Sequence, residues 1–343
     1  MSSVSFETWR VKLHDFVTAL SFSNDGKILA VSLGGGDLAL IHVPSGEVIE
    51  RIRAHTNGCI AIAWNPSRSC IATGGQDGKV RFWTPFPLTQ VFEESGGSAW
   101  VDHLKWSRDG NEIAIGSGKH LILLGADGKL RWQFSDHESS ITALEWHAER
   151  NEFATACYKS VRVFSNAENS TPLHFPGTSS FVSLGWSPDA RFLCAGTQDA
   201  SVHLWQLPFQ EGREMEMQGF PMKVKHLDWK RDGSELATAS SNVILVWDST
   251  GPGPAGKKPL QLAMHSNIIT ALKYGLQDPN FLASGDEAGL LLLWSPQSTT
   301  NAATLAKLDG EISALEWSSR ARCLAAGSGE GEVSLIGKSE VLV

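Results

Sequence analysis

The chain has 343 residues, 42% hydrophobic and 19% charged, a balance that excludes bulk disorder. Its 29 Lys and Arg against 37 Asp and Glu leave a net charge of −8. That weighs against a nucleic-acid or anionic-membrane binder, because phosphate contacts need a surplus of cations.

The first seven residues hold no basic segment and no apolar run, so no signal peptide is expected. Phe6–Leu13 alternates and reads as an orphan strand ahead of everything else. From Val17 onward one phrase recurs, small and apolar residues alternating up to an aromatic. It occupies Val17–Phe22, Cys59–Trp64, Val101–Trp106, Ile141–Trp146, Phe181–Trp186, Val224–Trp229, Ile269–Tyr274 and Ile312–Trp317. The closing aromatics recur every 40 to 45 residues, so eight units fill the chain and leave no room for a second domain.

Every unit divides alike. A polar turn follows the aromatic, such as Ser23-Asn24-Asp25-Gly26 or Ser187-Pro188-Asp189, and its Asp-Gly or Pro-Asp pair suits a hairpin. A second strand of small residues comes next, as in Ile71–Gly74 and Leu236–Ala239. The third is β-branched and often ends in Trp, as in Val80–Trp83, Val202–Trp205 and Leu290–Trp294. A more polar fourth strand, such as Glu47–Ile52, closes the unit. No long 3.6-residue apolar period occurs, so helices should be almost absent. Two insertions stand out: 206–222, with Met215, Met217, Phe220 and Met222, and the Gly/Pro-rich 249–259. The first reads either as an adaptable docking loop or as a cap on the blade edge.

The period and strand pattern resemble the WD40-repeat family over essentially the whole chain, although Trp247-Asp248 is the one literal Trp-Asp and no Gly-His occurs. The resemblance implies an all-β fold, a single eight-bladed propeller of four-stranded antiparallel blades spanning residues 1–343. A seven-bladed ring is the alternative. Phe6–Leu13 is expected to close the last blade as its fourth strand, with Glu340–Val343 as the other candidate. The resemblance also implies an inter-strand set of His, Ser or Thr, Asp and Trp, which unit two supplies as His55, Thr73, Asp77 and Trp83. Unit four keeps His137 and Thr155. Unit five keeps Asp199 and Trp205, but Ala195 stands at the hydroxyl position. Unit seven keeps His265, Ser284 and Trp294, with Ala288 in place of the Asp.

No catalytic, cofactor or metal site is expected. Gly327–Gly331 looks like a phosphate loop but falls in a hairpin turn with no helix after it. Asp102-His103 and Asp136-His137 are sequence neighbours, and neighbours on a strand point to opposite faces. The five cysteines, Cys59, Cys70, Cys157, Cys194 and Cys323, include no CxxC pair and sit mostly in apolar runs. They read as buried hydrophobes in a reducing compartment, so a cytoplasmic protein is expected. Apolar runs such as Leu290–Trp294 are too short to span a bilayer, and no membrane association is expected.

What remains is surface. In the geometry the resemblance implies, residues six and four before each aromatic ring the narrower top face, together with the turn after the second strand. That places Phe16, Trp100, Asp102, Lys223 and Lys225 there from first strands, and Gln76, Tyr158 and Gln198 from turns. The expected docking site spans Trp100, Asp102 and Tyr158, with Lys223 and Lys225 steering an acidic segment. The expected function is a non-catalytic scaffold for protein or peptide partners. The alternative is an accessory or metal-handling factor, or an enzyme, using His and carboxylates at the channel mouth.

Overall fold

The structure, a computed structural model, describes residues 7–166, 171–210 and 213–337. Among them every regular element is a β-strand. The second strands owe their place to composition. Ile28–Leu33, Phe192–Thr197 and Cys323–Ser328 are small or apolar on both faces and buried along their length. Fourth strands such as Val48–Arg53 alternate and stay wet. Each sheet therefore grades from a buried inside to a solvated rim. The polar turns work as hairpins: Gly26 and Gly110 both sit at φ +70°, and Ser23 and Ser107 accept the N–H groups that return to the next strand.

The first strands of consecutive units lie side by side around one axis, and Val17–Phe22 packs on Ile312–Trp317, which closes the ring. The buried apolar side chains gather in clusters shared between consecutive units. Leu29, Val31 and Ile41 of the first unit, for example, pack with Ala325, Val333 and Leu335 of the last. At this seam Glu7–Lys12 pairs antiparallel with Glu332–Gly337, completing a sheet with Cys323–Ser328 and Ile312–Trp317. Trp9 anchors the strand by donating its indole N–H to the Val43 carbonyl at 2.6 Å. The rival closing segment, Glu340–Val343, lies outside the described residues.

The expected count of eight separate blades needs correction. The strands form seven hydrogen-bonded sheets, six of four strands and one of six, so the seven-bladed alternative gives the observed number. The cause lies in two 14-residue strands, Glu152–Ser165 and Leu173–Trp186, which join units four and five into one sheet. Leu173–Ser180 pairs with Tyr158–Val163, whereas Phe181–Trp186 pairs with Leu193–Thr197. One strand thus serves two units without a break.

Candidate partner-docking face

In unit two, His55, Thr73, Asp77 and Trp83 are joined by hydrogen bonds. His55 Nε2 meets Thr73 Oγ1 at 2.9 Å, His55 Nδ1 meets Asp77 Oδ1 at 2.9 Å, and the Trp83 indole donates to Thr73 Oγ1 at 2.9 Å. Sequence reasoning missed a fifth member. Arg81 Nη1 lies 2.8 Å from Asp77 Oδ2, and Arg81 also pairs with Glu93. Burial opposes the charge on Asp77, but Arg81 and His55 outweigh it and hold the carboxyl at about 2. Unit seven differs from expectation. Ala288 does not leave the set incomplete, because Asp286, two residues earlier, supplies the carboxylate at 2.8 Å from His265 Nδ1. His265 Nε2 and the Trp294 indole both reach Ser284 Oγ at 2.7 Å.

A second system of hydrogen bonds stitches the top of the ring. Thr18, Thr142, Thr270 and Ser313, each four residues before a closing aromatic, donate to the carbonyls of Cys59, Phe181, Ile312 and Val17 on the next unit at 2.6–2.7 Å. Ser183 does the same toward Val224 at 2.8 Å. The signal was legible as a recurring hydroxyl. Unit five holds Val182 at that position and uses the adjoining Ser183, and the three units with Ile60, Asp102 and Lys225 there make no such bond among the described residues. Near the bottom, the indoles of Trp106, Trp146, Trp186 and Trp317 donate to carbonyls of Ala63, Lys105, Glu145 and Lys273 on the preceding unit. Arg108, Arg231 and Arg320 span to carbonyls of the following one.

The expected surface residues separate into two groups. Phe16, Lys223 and Lys225 line a top-face cavity of about 340 Å³, with Met222 and Ile268 beside them and Glu287 and Glu311 on its walls. Neither lysine has a carboxylate within ion-pair distance among the described residues. Trp100, Tyr158 and Gln198 are exposed but do not line this cavity, and Trp100 is 57% exposed, not tucked between units. Lys159 lies 5.1 Å over the Tyr158 ring. Gln76 is half-buried and accepts from the Gly58 N–H. Asp102 lies on the central channel with His103, whose Nε2 stands 3.9 Å from it, outside hydrogen-bond range. His137 bonds to Thr155 and the Lys119 carbonyl, so it forms no dyad with Asp136. Of the long insertion, Met217 and Phe220 are buried and Glu214–Met217 is an edge strand, so it caps its blade, while Met222 reaches the top cavity.

Comparison with known proteins fits this geometry. Residues 128–165 and 170–206 match the family described as "WD domain, G-beta repeat", and residues 6–67 match "Anaphase-promoting complex subunit 4 WD40 domain". These segments are WD40 repeats, and the fold is a β-propeller. Among its relatives is the Arabidopsis thaliana protein named "Cell division cycle 20.1, cofactor of APC complex", 26% identical over 71% of this chain and 56% of that protein. Another is the Dictyostelium discoideum "Anaphase-promoting complex subunit cdc20", 26% identical over 67% of this chain and 48% of that protein. The match thus spans about half the length of these curated relatives. The computationally designed Ika8 protein shares the fold at TM-score 0.80 and 19% identity, covering 95% of this chain and 98% of that one.

Charged side chains line the propeller's channel. Lys105 Nζ pairs with Glu145 Oε1 at 2.8 Å, and Asp228 Oδ2 accepts the Tyr274 N–H at 2.6 Å. The neighbouring Asp228 carboxylate pushes Lys273 up and keeps it charged, while burial pushes Asp228 and Glu316 up. Below them a cavity of about 820 Å³ opens at the bottom, lined partly by the stitching Trp and Arg residues. Among the described residues no three His, Cys, Asp or Glu side chains converge as a metal-donor set.

Proposed function

We propose that this propeller is a non-catalytic scaffold that docks protein or peptide partners on its top face, through Phe16, Trp100, Asp102, Tyr158, Lys223 and Lys225, with Gln76 and Gln198 at the rim. One observation carries the reading. Two of the three seams without a stapling hydroxyl are those where the first strand presents Asp102, close in sequence to Trp100, and Lys225, close to Lys223. These side chains do not hold the ring and can meet a partner. Phe16, Met222 and Ile268 offer apolar contact beside unpaired lysines, a combination suited to an acidic segment carrying an apolar side chain. The relatives named as cofactors or subunits of the anaphase-promoting complex support a partner-binding role.

Residues 1–343 act as a single ring in this reading. The six-stranded sheet does the work of two blades, with Lys159, at φ +59°, turning its long strand within unit four. The cytoplasm is the compartment that suits five free thiols. No helix of the described residues is long and apolar enough to cross a membrane. The test is affinity purification from the native cell with quantitative mass spectrometry. Wild type is compared with W100A/Y158A and with K223E/K225E, all of which change exposed residues and should melt like wild type. Loss of a shared set of partners is expected, and an unchanged set from both variants would overturn the site.

A further inference from the structure

Unit five lacks an acceptor that its sister units keep. Trp83, Trp247 and Trp294 donate their indole N–H groups to Thr73, Thr238 and Ser284 at 2.9, 3.0 and 2.7 Å. Trp205 occupies the same place on its third strand, but Ala195 stands where the hydroxyl would be, and the indole has no acceptor among the described residues. The side chain is 5% exposed. Unpaired polar side-chain atoms sealed from solvent do occur among the described residues, at His147, Ser160, Arg162 and Ser249, but Trp205 is not one of them. Trp205 instead lines an opening on the flank of the ring. A lone indole donor facing an opening is short of a hydrogen bond that a visiting carbonyl can supply.

The opening is a groove of about 410 Å³ on the flank of the ring, where Trp205 is joined by Leu173, Phe175, Pro176 and Phe209. Phe175 packs on Trp205 at 5.1 Å and on Phe209 at 4.8 Å between ring centroids, and Leu173 is 52% exposed. Among the described residues the strand that forms this wall pairs on one side only along 173–179, and Pro176 removes one of its free N–H groups. Strand addition is blunted there, so side chains must do the holding. The flank is acidic. Glu214 lies in the groove against His203, Glu216 stands 3.9 Å from the same imidazole, and Glu138 stands 3.8 Å from His174. Arg162 is already paired with Glu138 at 2.7 Å.

We propose that this groove binds an extended peptide segment in which an aliphatic side chain is followed by Lys or Arg. The aliphatic group packs on Leu173, Phe175 and Phe209. A peptide carbonyl accepts the Trp205 N–H, and the basic group lies against Glu214 and Glu216. The groove is separate from the top face, so the scaffold carries two sites at a fixed spacing.

The test uses protein labelled with ¹⁵N at tryptophan, with the Trp205 indole signal assigned by its loss in W205F. The probe is acetyl-Ala-Leu-Arg-Ala-amide at low salt. In the free protein the Trp205 indole proton is expected to exchange with water at least about tenfold faster than those of Trp83, Trp247 and Trp294. The peptide is expected to move that signal saturably, and E214Q/E216Q to weaken binding about fivefold. Replacing Arg by Glu in the peptide should weaken it further, whereas K223E/K225E should leave it unchanged, which separates this site from the top face. Protection of the Trp205 proton equal to the others, no movement at millimolar peptide, or equal binding of the Arg and Glu peptides would each overturn the proposal.

Discussion

Thr73 shows how much one hydroxyl can carry. It bonds both His55 and Trp83 at a fully buried position. T73V keeps the volume and removes both partners, so it is expected to cost about 2–3 kcal/mol in urea unfolding, while T73S should retain most of the stability. A loss under about 0.5 kcal/mol would mean the set contributes shape alone. Unit five allows the reverse experiment: A195S restores an acceptor beside Trp205 and is expected to stabilise by about 0.5–1 kcal/mol. Buried histidines give a pH dependence with a definite sign. Burial lowers His55 and His265, and it lowers His137 to about 4, with the charge of Arg162 adding to the effect. The unfolded chain protonates these groups near 6.5. Between there and about 4 it binds more protons than the folded chain, so stability is complete above that window and falls as pH drops through it. Asp228 and Glu316 act in the opposite sense nearer the carboxylate range. The measurement is therefore the difference between wild type and H137N in urea unfolding at pH 7.5, 6 and 5. The variant should show the shallower slope.

At the scale of strands, most of the architecture was legible. The recurring aromatics located all eight first strands, and the alternation of Phe6–Leu13 located the closing one. Two features were not legible, for physical reasons. Units four and five share a sheet because Leu173–Trp186 changes partner between Ser180 and Phe181 within one strand; Pro176-Gly177 leave only a register shift opposite Tyr158 and Ser160, not a turn that separates the units. The unit-seven carboxylate moved from position 288 to 286, where the end of the second strand brings it to the same imidazole. A position-by-position comparison cannot see a side chain that reaches the same partner from two residues away. On the candidate site, spacing found the exposed aromatics and lysines, but the stapling role of Thr18, Thr142, Thr270 and Ser313 needed the neighbouring carbonyls in view. The closing strand has its own test. Deleting residues 1–13 uncovers the edge of Glu332–Gly337 and the apolar cluster around Leu335. The shortened protein is expected to self-associate in size-exclusion chromatography and to lose several degrees of melting temperature. A monomer of unchanged stability would show that the seam does not depend on that strand.

For the whole molecule, the two faces divide the work. The bottom is tied unit to unit by indoles and guanidinium groups, and charged side chains line the channel. The top is stapled at five seams and unstapled at three, and the side chains relieved of stapling there include Asp102 and Lys225. A rigid ring with one committed face and one open face is suited to presenting fixed contacts to other chains. The most direct measurement is site-specific photo-crosslinking in the native cell, with a photoreactive residue at position 100 or 225 on the top and at 320 on the bottom. Partner adducts from 100 and 225 and none from 320 are the expected result. Adducts from 320 alone would contradict the assignment of the docking face.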